Sequence, residues 1–264
     1  MYLSPNYVKF FPDVIWNIPV LCGDKESLIK LSDKIQYIAY GSPRCYFNCG
    51  RTGSDIGLNY LFSNISLLNK KNIPCYVTFS NYNIEEKYLI SDFLNQVLEM
   101  LNSNNNNGVI CSSEILRKYI KCNYPNLKLK ASMILSTILG KENDSVWYTE
   151  QLDLYDYVVI HVDATLDTLK KLPDNHLDKF EILVNETCMK NCPNRKEHCY
   201  NTDRKTYEVL RYEHCISDKL DESQTCRMSL NEVQKLVDIG FTSFKLQGRP
   251  YNNQLIKELL ALEI

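Results

Sequence analysis

The chain has 264 residues and a net charge of −2, from 30 Lys and Arg against 32 Asp and Glu. That length buries a sizeable core without help from disulfides or metal, and with 44% apolar and 23% charged residues wholesale disorder is excluded. No apolar run reaches the roughly 18 residues that a membrane-spanning helix needs, and a near-neutral balance gives no field that indicates nucleic-acid binding. MYLSPNYVKFFPDV at the N-terminus lacks a basic segment followed by an apolar one, so no signal peptide is predicted. The expectation is a soluble, cytoplasmic globular protein with no membrane insertion.

Short β-rich runs alternate with helical patterns along the chain. VIWNIPV (Val14 to Val20) reads as a strand, and DKESLIKLSDK after it as a helix capped by Asp24. QYIAYG, around Ile38, is the second strand, and Asp55 to Lys70 is an amphipathic helix. IPCYVTFS, ending at Ser80, is the third strand, and EEKYLISDFLNQVLEML spaces its apolar residues at three and four. GVICS from Gly108 is the fourth strand, with SEILRKYIKC as its helix, and the low-complexity NSNNNNG before it has the length of a turn. LKLKASM is the fifth strand. An irregular stretch precedes YDYVVIHV, the sixth, and KFEILV, ending at Val184, is the seventh. FTSFKLQG, ending at Gly248, is the eighth, closed by the helix NNQLIKELLALE.

Eight strands, each followed by a mostly helical connection, predict a single-domain (β/α)8 barrel spanning residues 1–264. An open doubly wound sheet fits the same alternation, because periodicity does not report closure. The longest departure lies between strands seven and eight, from Asn185 to about Met228. There periodicity is weak and five of the chain's 11 cysteines fall within 39 residues. In a barrel this insertion sits at the C-terminal face of the strands, where catalytic loops sit.

The five are Cys188, Cys192, Cys199, Cys215 and Cys226, spaced Cys-x3-Cys-x6-Cys-x15-Cys-x10-Cys. A total of 11 in 264 residues is about 4%, below a disulfide scaffold, and a reducing compartment keeps structural disulfides rare. Clustering of this kind points to a metal or iron–sulfur site. Structural zinc favours two tight pairs, and here only Cys188 and Cys192 form one; iron–sulfur clusters accept more varied spacing. Burial as small hydrophobes is the third reading, disfavoured because the loop's pattern offers no core.

Along the eighth strand, Phe244 and Leu246 alternate with Ser243, Lys245 and Gln247. The apolar pair is expected to face the helices, leaving Lys245 inward and Arg249 at the rim. An inward lysine is either salt-bridged within the barrel or set against a ligand. Arg249, Lys245 and Glu186, the last at the end of strand seven beside Asn185, are the candidate catalytic residues. Thr78 and Ser80 in strand three share a face and point to a polar lumen near the mouth. His161 and Asp163 end strand six, Arg51 is an anion-contact candidate after strand two, and Arg195 and His198 flank the cysteines. Gly-x-Gly-x-x-Gly, Walker, His-Glu-x-x-His and Gly-x-Ser-x-Gly motifs are all missing from the sequence.

VNETCMKNCPNR, a downstream Cys and then DIGFTSFKLQGRP together resemble peptidase family U32, the collagenase-like group of TIM-barrel proteins. The resemblance spans nearly the whole chain, is specific at Cys188–Arg195 and Phe244–Arg249, and has a weaker third match in GSPRCYFNCGR. Several family members are iron–sulfur proteins, and the relatives best understood serve oxygen-independent ubiquinone hydroxylation. Carried over residue by residue, the resemblance implies a [4Fe–4S] cluster on Cys188, Cys192, Cys215 and Cys226, with Cys199 or Cys45 as alternates and zinc as the alternative metal. It further implies an oxygen-independent hydroxylation or related redox modification of a small-molecule substrate, with an oxygen donor such as prephenate. A non-catalytic subunit of a heteromer with a protein partner, and a U32-type peptidase, are the alternatives. The chain is shorter than the large members of the family, whose C-terminal extension it lacks.

Overall fold

The structure is a computed structural model that describes residues 6–48, 54–202, 219–247 and 252–262. Its eight strands are β1 (Ile15–Ile18), β2 (Ile38–Gly41), β3 (Cys75–Phe79), β4 (Gly108–Cys111), β5 (Lys128–Ala131), β6 (Tyr157–Val159), β7 (Phe180–Leu183) and β8 (Ser243–Lys245). They pair in parallel in chain order, and β8 returns to β1, with Trp16 beside Phe244 and Asn17 beside Lys245. The barrel is therefore closed, which removes the open-sheet alternative.

The helices that flank the strands are α1 (Asn6–Phe10), α2 (Lys25–Lys34), α3 (Leu58–Lys70), α4 (Asp92–Asn102), α5 (Glu114–Asn123), α6 (Met133–Leu139), α7 (Ser145–Gln151), α8 (Leu166–Leu169), α9 (Arg195–Thr202), α10 (Leu230–Ile239) and α11 (Asn252–Ala261). Local chemistry fixes where several begin. Asp24 caps α2 by accepting from the Ser27 amide, and Ser113 caps α5 the same way. Ser229 and Glu232 form a reciprocal capping box on α10, which Gly240 ends at φ 116°, a conformation that glycine adopts without steric cost.

Alternation along each strand separates two environments. Val77, Phe79, Val109, Leu129, Phe180, Ile182 and Phe244 belong to the main core between barrel and helices. Tyr40, Tyr76 and Ile110 form a separate cluster with Ile38 inside the barrel. Gly108 belongs to that interior: a Cβ there would lie 2.4 Å from the Tyr76 ring and 2.5 Å from the Lys128 carbonyl. The asparagine tract before it has one structural member, Asn107. Fully buried, it accepts from the Cys75 amide at 2.9 Å and donates to the Leu101 carbonyl at 3.0 Å, so it ties β3 to α4.

Three sequence expectations need correction. The helix expected from Asp55 starts at Leu58, because Ser54 bridges back to Pro43. The irregular stretch after β5 holds two helices, α6 and α7, and the fifth strand stops at Ala131 because Ser132 caps α6. The insertion between β7 and β8, weak in periodicity, nevertheless holds a helix, α9.

Candidate functional site

The C-terminal ends of β6, β7 and β8 carry the site, and the cysteine insertion is stitched to them by its two ends. Cys188 follows β7, and Cys226 comes back alongside it: the Cys226 amide donates to the Cys188 carbonyl at 2.9 Å and the Lys190 amide to the Gln224 carbonyl at 3.0 Å. Met189 and Thr225 form an antiparallel bridge between those bonds. Asn191, between Cys188 and Cys192, takes a left-handed φ of 50°, which asparagine tolerates better than most residues. Its amide donates to Asp163 Oδ1 at 2.9 Å and so anchors the turn to the end of β6.

Arg195 and Asp163 organise the sulfurs. The Arg195 guanidinium donates to the Met189 carbonyl at 2.6 Å and to Cys226 Sγ at 3.3 Å, and pairs with Asp163 Oδ2 at 2.9 Å. Burial works against its charge, but Cys188, Asp163 and Cys226 outweigh that and hold it protonated. Burial pushes the Cys226 thiol up to about 12, with Arg195 pulling the other way, and the thiol donates to Asp163 Oδ1 at 3.4 Å. His161, buried beside this pair, accepts the Asp163 amide on Nδ1 at 3.0 Å. Burial and then the Arg195 charge push its pKa down to about 4, against the pull of Asp163, so the ring is neutral at pH 7 with its proton on Nε2.

Below the rim lies a buried ionic layer. Glu181 on β7 pairs with Lys130 on β5 and, at 3.1 Å, with Lys245 on β8. Lys130 donates to Asn17 Oδ1 at 2.9 Å and lies over the rings of Tyr76 and Tyr157; Lys245 lies 4.2 Å from the Tyr40 ring centroid. Complete burial raises the Glu181 carboxyl, yet Lys130 and Lys245 outweigh it and leave it below its ordinary value.

The sequence-derived residues divide accordingly. Cys188 and Cys226 come together and Cys192 sits half-buried on the same turn. Cys199 is instead buried on α9 against Ile134 and Ile138 of α6. Cys45 is part of the main core, its thiol raised to about 12 by burial. Glu186 accepts the Cys188 amide at 3.1 Å, and Lys245 points inward as expected but onto Glu181. Cys215, Arg249 and Arg51 lie outside the described residues. Among the described residues, no three His, Cys, Asp or Glu side chains converge as a metal site. The donors that do meet, two thiols beside a guanidinium, suit a thiolate-held group, and the fourth carried-over sulfur, Cys215, is not among the described residues. Asn17, Lys130 and Glu181 escaped the sequence reading, although Asn17 and Glu181 are each the lone polar residue of an apolar strand, the one signal that marks them.

Fold and site define a closed (β/α)8 barrel with a thiol-bearing rim after its seventh strand. Among solved structures, the U32 peptidase Mk0906 is similar over 89% of this chain and 92% of its own, with a TM-score of 0.57 and 10% identity; at that identity the likeness is one of fold. The Bacillus cereus spore cortex-lytic enzyme SleL matches over 93% of this chain and 74% of its own, at a TM-score of 0.39 and 13% identity, and adds nothing to the assignment. No family model and no curated protein sequence matches the chain. No described helix is long and apolar enough to cross a membrane.

Proposed function

We propose that this chain is a U32-type barrel protein that holds a [4Fe–4S] cluster at its rim and performs an oxygen-independent hydroxylation or related redox modification of a small molecule. Cys188, Cys192, Cys226 and Cys215 would hold the cluster. The observation that carries this reading is the return of Cys226 beside Cys188 with Arg195 against the Cys226 sulfur. Burial raises the Cys226 thiol, and the guanidinium pulls it back toward the thiolate, the form that binds metal.

When bound, such a cluster supplies one-electron transfer, or an iron open to substrate if one ligand is not a cysteine. The chain's own residues do the positioning. Asp163 orients both Arg195 and the Asn191 turn, and Glu186 fixes the backbone of Cys188. The oxygen donor in this reading is a small carboxylate such as prephenate. The peptidase reading rests on the name of one fold relative.

Anaerobic purification with iron, sulfide and zinc analysis tests the proposal. About four iron and four sulfide per chain are expected, with Cys226→Ser losing most of the iron. A colourless protein holding one zinc would overturn it.

A further inference from the structure

Above the ionic layer, the inner face of the barrel changes character. Tyr40, Tyr76 and Ile110 fill the interior at mid-height. Two residues further along the same strands stand Ser42, Thr78 and Ser112, which point to the same side by the alternation of a strand. The register sets Gly41 beside Val77, which brings Ser42 next to Thr78, and Phe79 beside Cys111, which brings Ser112 next to Ser80, one step above Thr78 on the same face of β3. Large side chains fill the barrel at mid-height, and small ones line its C-terminal mouth, the end at which (β/α)8 barrels take their ligands.

The polar atoms here are unpartnered. Ser42 Oγ, Thr78 Oγ1, Ser112 Oγ, Asn48 Nδ2 and His161 Nε2 have no hydrogen-bond partner among the described residues. Their residues are only 2%, 1%, 0%, 0% and 3% exposed, respectively. A buried polar group left unpaired is costly and rare in a native fold. Of the 14 such atoms among the described residues, these five gather on one inner rim.

Their chemistry is that of donors. Asn48 Oδ1 is already taken by the Ser80 hydroxyl at 3.1 Å, which leaves the amide N–H free. His161 Nδ1 accepts the Asp163 amide, which leaves an N–H on Nε2. Beneath them, Lys130 and Lys245 both face the Glu181 carboxylate. The rim acids are tied elsewhere, Asp163 to Arg195 and Asn191, and Glu186 to the Cys188 amide.

We propose that the barrel mouth is a binding site for a small oxyanion, a carboxylate or phosphate, held by Asn48, His161, Ser42, Thr78 and Ser112 above the Lys130–Glu181–Lys245 layer. No cysteine takes part, so the site stands or falls apart from the cluster.

The test combines binding with stability on the full-length protein. Malonate and inorganic phosphate are titrated separately into the wild type, with glycerol as the uncharged control, and the thermal unfolding midpoint is followed. The oxyanion that fits raises the midpoint by about 2 °C or more at saturation, which also tells carboxylate from phosphate. Thr78→Val and Ser112→Ala weaken that oxyanion at least tenfold. Without ligand, the same variants keep or raise the midpoint, because each removes an unpaired buried hydroxyl. Glycerol binding as well as either anion, or neither anion binding, overturns the proposal. So does a lowered midpoint in both variants without ligand, which would mean that the hydroxyls are already paired with buried water.

Discussion

The barrel interior holds two polar layers one above the other, and they behave in opposite ways. In the lower, Asn17, Lys130, Glu181 and Lys245 satisfy one another across strands β1, β5, β7 and β8. In the upper, at the strand ends, polar atoms of equal burial are left unpaired. Evenly spread unpaired groups would reflect poor packing. Five of them gather at the mouth, above a layer whose charges are paired, and they read as groups held for something that enters. The lower layer fixes the barrel and the upper one waits on it.

The largest effect that would break this comparison lies in the lower layer. Glu181→Gln leaves two buried lysines without a carboxylate and is expected to cost about 3–5 kcal/mol, measured by urea unfolding. A loss under 1 kcal/mol would mean that the layer is wet and not a paired floor. Next comes Arg195→Met at the rim, which strips Asp163 and Cys226 of their cation and is expected to cost about 2 kcal/mol; a neutral result would detach Arg195 from the architecture of the cysteine turn.

The two layers also separate by pH. The folded pKa of Glu181 is depressed, so the stability it contributes is present above the unfolded carboxylate value near 4.3 and is lost as pH falls through the lower folded value. His161 also has its folded pKa depressed, to about 4. Its contribution is therefore complete above about pH 6.5 and declines as pH falls toward 4. Glu181→Gln is expected to flatten the acid end of the stability profile, and His161→Phe the span from 6.5 to 4. A histidine proton resonance for His161 titrating near pH 6.5 would sink the second assignment. The smallest effect sharpens the choice of sulfurs: Cys199→Ala is expected to cost about 1 kcal/mol through lost packing on α6 and to leave iron content unchanged, whereas iron loss would restore Cys199 as a ligand.

Much of the fold was legible because strands bounded by capped helices leave a period in the sequence. Two of the missed helices had none to leave. MILSTIL in α6 is buried on nearly every side, so it shows no amphipathic stripe, and RKEHCYNT in α9 is short and polar. Inward Lys245 was readable from alternation on its own strand. Its partner was not, since Glu181 lies 64 residues away, and Lys130, which shares that carboxylate, stands 51 residues before Glu181. The cysteine turn was visible as spacing, but the convergence of Asp163 and Arg195 on it depends on strand six ending beside strand seven, a pairing in the sheet that no local pattern reports.

The bridge between Met189 and Thr225 has a consequence for how this protein can change over generations. Because the two ends of the insertion are clasped at the barrel rim, the barrel meets the same pair of backbone ends whatever lies between them. The entropic charge for a longer or shorter excursion is slight, about 0.6 kcal/mol for each doubling in length. The length of chain between the clasped ends is thus open to change, by drift or by an engineer, so long as Arg195 and the cysteines of the proposed cluster are kept, while the barrel beneath keeps its register.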